Sequence, residues 1–480
     1  MKKLISNYLY TVLYQLLLML TPFITTPYVA RVLKAEGVGI DAYVLSIVQL
    51  FIVFIVLGIP LYGSRQIAVK NNKEETSKEF WSIFSFQAII SLLNIVVFLL
   101  FILLLDNYTN LFYIHFLTLL AYSFDISWFF IGKEQIKKIS IRNMIVKVLG
   151  IILIFSFVKD ADDLPLYVLI NGGTLFFGQL IMWIPLLKEV KLVKISFDDM
   201  KKHVSPIMVL FIPQLLIQVY VLVNRIILGN IAGEIEVGYY NQANKVIKIA
   251  LGVISSIGTV LLPRMASEFS KGNQDMVKKY TTYTLQFVLM ITLPMTLGMM
   301  AIAPNFVVWF LGDEFLDVST ILILMSPVIF FVGLANVFGI QVLVSTNQQK
   351  KYSLSITIGA LLSLIINYLL VSKYGSIATT IALLIAEATG ALIQMYFARS
   401  YFIFREFITL FIKYFILSGF VYVSASTIGE FVEITPVLLT LLQVFVGAMI
   451  YLLGLFVIRD TLVLKLIGSI QHKIRKKVNE

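Results

Sequence analysis

Fourteen runs of about 20 predominantly apolar residues, each long enough to cross a lipid bilayer as a helix, take up most of this chain. They lie near 7–30, 38–62, 79–105, 109–131, 142–158, 165–187, 205–228, 237–262, 280–303, 316–342, 352–371, 375–398, 408–428 and 434–458. The eighth is the weakest, because Asn241, Asn244, Lys245 and Lys248 interrupt it. Hydrocarbon offers backbone amides no water, so segments of this kind close their hydrogen bonds internally as helices. Of the 480 residues, 59% are apolar and 14% charged, whereas a soluble domain is about half apolar and a quarter charged. The expected fold class is therefore an all-α integral membrane protein of about fourteen transmembrane helices.

Lys and Arg in the connections set the orientation. Of the 38, 29 fall in the two tails and in the connections after even-numbered spans, four in the connections after odd-numbered spans, and five inside spans. A missed span would scramble this alternation, so the split supports the count and predicts that both termini are cytoplasmic. Met1-Lys2-Lys3 followed by an apolar run reads as a retained first span. The longest outer connection, around Ala303–Phe315, has about a dozen residues, too few for a folded domain, which argues against glycan polymerases and ligases.

Several chemistries are excluded. There is no cysteine, hence no disulfide frame, thiolate metal site or cysteine nucleophile. The three histidines (His115, His203, His472) are far apart in sequence. No Walker loop, HExxH, GxSxG elbow or acidic metal cluster is present. The net charge of +11 reads as the positive flanks of membrane helices, not as a nucleic-acid surface. The expectation is a secondary transporter and not an enzyme, with no cofactor, driven by an H+ or Na+ gradient or by downstream consumption of its substrate.

The chain also resembles itself at an offset of 199. Lys2-Lys3-x-x-Ser6 returns as Lys201-Lys202-x-x-Ser205, Gln15 falls on Gln214, and Arg31 with Glu36-Gly37-Val38-Gly39 parallels Arg225 with Glu236-Val237-Gly238-Tyr239. Six spans per half is an even number, so the halves share one orientation and are related by a pseudo-two-fold along the membrane normal, as in parallel-repeat transporters. The division expected is a six-helix lobe over 1–190, a second over 191–400, and helices 13 and 14 with a basic cytoplasmic tail over 401–480.

Thr26-Pro27-Tyr28-Val29-Ala30-Arg31-Val32-Leu33 with Gly37 and Gly39 resembles the opening motif of the Wzx-type polysaccharide flippases, in the multidrug/oligosaccharidyl-lipid/polysaccharide exporter (MOP) superfamily. Asp125-Ile126-Ser127-Trp128-Phe129-Phe130-Ile131-Gly132-Lys133-Glu134, then Arg142-Asn143 and Lys147, is similar to that family's span 4 to span 5 signature. Asn224-Arg225-Ile226-Ile227-Leu228-Gly229, Gly238-Tyr239-Tyr240, Lys245 and Pro263-Arg264 resemble its second-half motif, with Asn224 where the family often has Asp. The resemblance runs with specific motifs to about residue 270. It implies a MATE-like fold of two lobes plus two helices and a flippase that carries a polyprenyl-diphosphate-linked oligosaccharide to the outer leaflet of a bacterial cytoplasmic membrane. Its implied partners are that lipid, membrane lipids and the polysaccharide polymerase and other assembly proteins. By resemblance to the related peptidoglycan-precursor flippase, spans 13 and 14 form a tail-holding groove.

Ionised groups inside spans are expensive and need a reason. Arg31 and Arg225 lie near the outer ends of spans 1 and 7. Lys245 and Lys248 share one face of span 8 at i, i+3, Lys248 about halfway across. Glu387 is halfway along span 12, and Asp125 and Lys147 sit at similar depth in spans 4 and 5. One reading makes Arg31, Lys147, Arg225, Lys245 and Lys248 a cationic cavity that binds a diphosphate, with Asp125 and Glu387 in ion coupling or gating. The plainer reading has Arg31 and Arg225 snorkelling, Asp125 paired with Lys147, and Lys248 paired with Glu387. Arg142 and Lys413 read as interface anchors, and Tyr239 and Tyr240 as sugar-stacking candidates. The competing functions are a cation-coupled multidrug exporter, a peptidoglycan-precursor flippase and, least supported, a membrane glycan polymerase or acyltransferase.

Overall fold

The computed structural model of the protein describes residues 2–464, without the side chains of 2–8, 210, 212–214, 216, 217 and 253–263. Lys2, Lys3, Ser6 and Gln214 of the repeat, Pro263, and the basic tail beyond 464 thus lie outside what is described. The chain forms two compact units, Met1–Gly238 and Tyr239–Glu480.

In the first unit, α1 (Lys2–Val56) is two helices joined at Lys34, whose left-handed backbone (φ 59°) breaks the run. There follow α2 (Ile59–Ala68), α3 (Lys73–Ile102), α4 (Thr109–Ser123), α5 (Ser127–Gly132), α6 (Ile136–Phe157), α7 (Leu164–Glu189), α8 (Phe197–Lys201), α9 (Val204–Ala232) and the first turn of α10 (Glu234–Ser270). Local chemistry sets the ends. Asn72 caps α3 by accepting from the Glu75 N–H at 2.7 Å, with Glu74 and Glu75 complementing the helix dipole. The second unit holds the rest of α10, then α11 (Gln274–Phe310), α12 (Val318–Met325), α13 (Pro327–Ala335), a π-helical stretch Asn336–Val344, α14 (Gln349–Phe397), bent at Gly375 (φ 50°), α15 (Phe404–Phe431) and α16 (Pro436–Val457).

Among the described residues, ten helices are long and apolar enough to cross a membrane. Two of these, Leu9–Ala68 and Gln349–Phe397, each contain two spans across the breaks at Lys34 and Gly375. With α9 and α10 the fourteen expected spans are all present as helices. The protein is multi-pass and all-helical in its described part, and side chains such as Leu92, Leu100, Phe445 and Leu452 stand exposed on its outside, as lipid-facing residues do.

The fourth span departs from its sequence reading. The apolar run 109–131 is not one helix, because α4 stops at Ser123 and α5 starts at Ser127. Free carbonyls inside a membrane must find protein donors. The Gln87 amide of α3 donates to the carbonyls of Tyr122, Ser123 and Asp125 at 3.4, 3.1 and 3.1 Å. Trp183 of α7 donates to that of Phe124 at 3.1 Å. The break is packed by the aromatic core of this unit, where Phe80, Trp128, Phe129 and Phe130 are fully buried.

Two polar ties fasten helix ends. In the first unit His203, completely buried before α9, meets the Tyr62 hydroxyl (2.7 Å) and the Ser82 hydroxyl (2.8 Å), with Glu79 at 3.9 Å. In the second, Lys413 of α15 donates to Asp460, a carboxylate 1% exposed that also accepts from Tyr414 at 2.7 Å. Lys413 is therefore the partner of a buried carboxylate, not the interface anchor its position suggested.

Candidate functional site

Within the first unit, a polar cluster forms where α1, the α4–α5 break and α6 meet. Asp125 caps α5 by accepting from the Ser127 N–H at 2.8 Å. Arg142 of α6 donates to the Ser127 hydroxyl at 2.9 Å, and its charge interacts with Asp125 and with Tyr14 of α1. Tyr14 bonds the neighbouring Asn143, and Tyr122 of α4 senses Asp125. Arg142 is only 7% exposed and its Nε has no hydrogen-bond partner among the described residues. A buried guanidinium with a spare donor is a group waiting for an acceptor. It is not an interface anchor.

Lys147 lies one turn beyond Asn143 on α6. The sequence reading starts this span at 142. The helix in fact begins at Ile136, because the basic first turns with Lys137 and Lys138 extend it, so Lys147 sits at its midpoint. Ion pairs among the described residues do not include Lys147, and Asp125 faces Arg142 instead of it. It is half-buried and makes no hydrogen bond to a described residue.

The other candidates are spread over both units. Arg31 is exposed at the end of the first limb of α1, its guanidinium donating to the Pro27 carbonyl at 3.2 Å. Arg225 is buried on α9. In the second unit Lys245 is half-buried and Lys248 exposed on α10, beside a belt of buried amides at Asn241, Gln242 and Asn244. Neither amide atom of Gln242 has a partner among the described residues. Glu387 is half-buried on α14 and its charge reaches Tyr352. Tyr240 is buried and Tyr239 meets Phe315 edge to face at 6.1 Å. Sequence reasoning missed Tyr14 and the role of Arg142, and met Asn143 only within the family-like motif. The available signal was the Asn143/Lys147 spacing of i, i+4, which puts both on one face of span 5.

Groups of His, Asp and Glu able to hold a metal are absent among the described residues. What the cluster offers is hydrogen-bond donors and positive charge inside a membrane-spanning helix unit.

These features define a class, the multi-pass all-helical membrane proteins. The chain belongs to the polysaccharide biosynthesis protein family, whose profile matches residues 4–269; the MatE profile matches residues 210–369. The "Putative O-antigen transporter" of Escherichia coli (strain K12) is 24% identical over 396 residues, covering 79% of this chain and 93% of the relative. A structure of the lipid II flippase MurJ in an inward closed conformation superposes with a TM-score of 0.72 at 17% identity, covering 96% of this chain and all of that one. An inward-facing multidrug resistance MATE transporter gives 0.61 at 13%, covering 81% and 95%. By name these are transporters or flippases, and none is an enzyme.

Proposed function

We propose that this protein is a flippase that carries a polyprenyl-diphosphate-linked oligosaccharide from the cytoplasmic to the outer leaflet of a bacterial plasma membrane, with both termini cytoplasmic. The repeat unit would supply surface polysaccharide such as capsule, exopolysaccharide or O-antigen, with the polymerase and other assembly proteins as its downstream partners. The observation that carries this reading is Lys147, an ammonium at the middle of a spanning helix with no carboxylate beside it. At that depth an ammonium favours an anionic partner, and a diphosphate is one that crosses membranes only with help. Family membership and the flippases among the relatives support the same reading.

In this account the unbonded Nε of Arg142 and the Lys147 ammonium take phosphate oxygens, by charge-assisted hydrogen bonds that strengthen as water is excluded. Tyr14 and Asn143 hold their side of α6 in place. Arg31 and Arg225, and on the second unit Lys245 and Lys248, are further stations for the same charge. The six-helix lobes at 1–190 and 191–400 rock about the substrate, with 401–480 appended. Asp125 and Glu387 serve gating or coupling to H+ or Na+.

Ligand-dependent stabilisation tests this. A polyprenyl diphosphate should raise the melting temperature of the purified protein by mass action, and the matching polyprenol should not. Lys147→Ala should lower the apparent affinity roughly 10- to 100-fold, the worth of a charge-assisted hydrogen bond. Equal stabilisation by alcohol and diphosphate would contradict the proposal.

A further inference from the structure

The first unit contains a long lateral slot of about 950 Å³ between the second limb of α1, α3 and α9, near the top of the ~300–1,000 Å³ range of ligand sites. Its walls are stripes of apolar side chains at helical spacing, such as Ile47, Phe51 and Phe54 on α1 and Ile90, Leu93 and Val97 on α3. Among the described residues, no charged side chain lines it. α9 is fastened near both of its ends. At one end the buried His203 ties it to α2 and α3 through Tyr62 and Ser82. At the other, Tyr43 of α1 donates to Asn230 of α9, and its ring packs on Gly229, where a Cβ would come within 2.3 Å.

Length identifies the occupant. The lining runs from Tyr43 to Leu57 along α1, about 21 Å, and from Phe86 to Phe101 along α3, about 22 Å, at the rise of an α-helix. One leaflet of hydrocarbon is about 15 Å deep, half of the ~30 Å core, so a chain anchored in one leaflet by its headgroup fills only part of the slot. A chain that fills it crosses the bilayer midplane. Leu93 and Val97 are 59% and 56% exposed, so the slot is open sideways and a tail enters without dragging a polar head through apolar walls. Among the described lining residues, Asn94 of α3 is polar between the slot's ends, and its amide oxygen has no partner among the described residues. A weak polar point in an apolar track keeps a bound hydrocarbon from settling there.

We infer that this slot holds the polyprenyl tail of the transported lipid, spanning both leaflets so that the tail stays engaged while its head changes side. The inference rests on the proposed flippase function and adds a tail site on α1, α3 and α9. A hydrocarbon chain engaged on the first unit lets the diphosphate reach Lys147 of the same unit without releasing the lipid to the bilayer.

The test uses the full-length protein in liposomes made of phospholipid with a polyprenyl-diphosphate oligosaccharide. A benzophenone amino acid replaces Leu93, or Phe54 on the facing wall, with Leu369, an exposed position on α14 away from the slot and from spans 13 and 14, as control. Irradiation should give adducts with the mass of the polyprenyl lipid at Leu93 and Phe54, and phospholipid adducts at Leu369. Phospholipid adducts alone at all three positions would overturn the inference. In parallel, Leu93→Trp fills the slot from its exposed side without touching buried packing. It should slow flipping of the long-tailed substrate about tenfold or more, as overfilling a fitted cavity does, and leave the protein's melting temperature unchanged. Normal flipping in Leu93→Trp refutes the slot while the flippase reading stands. No flipping by the wild type refutes the function, and the adduct masses still decide the slot separately.

Discussion

A Cβ placed on Gly39 would stand 1.9 Å from the carbonyl oxygen of Glu234, so the second limb of α1 and the first turn of α10 touch backbone to backbone. Gly238 repeats the contact from the other side, 2.5 Å from the Ala35 carbonyl oxygen. Gly39→Val must push these helices apart and should destabilise the protein by about 1–3 kcal/mol. Gly419, with nothing within 4 Å of a Cβ, is the control, where Ala should stabilise by about 0.5–1 kcal/mol. Thermal unfolding in detergent reads both, and a Gly39→Val protein as stable as the wild type would show that the helices do not meet there.

Lys413 and Asp460 should behave as a buried pair. Burial pushes the Asp460 carboxyl up, but hydrogen bonds from Lys413, Tyr414 and the Val463 N–H, and the Lys413 charge, outweigh it and hold the group below its ordinary value. Lys413→Met strands the carboxylate and should cost about 3–5 kcal/mol. Adding Asp460→Leu should recover much of that loss, and a double mutant as weak as the single one would argue against the pair.

Stability should also depend on pH through His203. Burial, opposed by Glu79, holds its imidazole down at about 4, against an unfolded value near 6.5. Lys202 and Lys70 push the same way as burial, and Asp199 acts with Glu79. Tyr62 and Ser82 complete its surroundings. The unfolded chain therefore binds the proton first, so this contribution is whole above about pH 6.5 and is lost as pH falls toward 4. His203→Gln should flatten the melting temperature in that window, whereas an unchanged slope would assign the pH dependence elsewhere.

Gln87 makes a sharper case. Leucine at this position leaves the Ser123 and Asp125 carbonyls at the α4–α5 break, and the Trp128 indole that donates to Gln87 at 3.2 Å, without partners, while the Tyr122 carbonyl keeps the Asp125 N–H. Each unsatisfied buried group costs about 1–3 kcal/mol, so Gln87→Leu should unfold at a markedly lower temperature. A change within about 1 kcal/mol, the net worth of a single hydrogen bond, would mean that other donors serve the break.

The span count was readable because apolar runs and the alternation of Lys and Arg report two independent consequences of the bilayer. Even α10, the weakest run, forms as a 37-residue helix whose Asn241, Gln242 and Asn244 turn inward. The α4–α5 break was not readable. Its run is unbroken in hydropathy, and what permits it is Gln87 and Trp183, supplied from helices distant in sequence. The site was half legible. Lys147 stood out as a charge inside a span, but its depth depended on where α6 begins. The choice of Arg142 over Lys147 as the neighbour of Asp125 depended on the turn that α5 makes, which spacing along the chain does not encode.

The central claim is that this protein moves a lipid-linked oligosaccharide using cations on its spanning helices. Its most direct test places the full-length protein in liposomes with a polyprenyl-diphosphate oligosaccharide under an imposed H+ or Na+ gradient. The readout is how fast the sugar becomes accessible to a lectin on the opposite face. The account predicts protein-dependent movement that Lys147→Ala slows about tenfold or more, the effect of losing one charge-assisted hydrogen bond. Movement no faster than in empty liposomes, under either gradient, would contradict it.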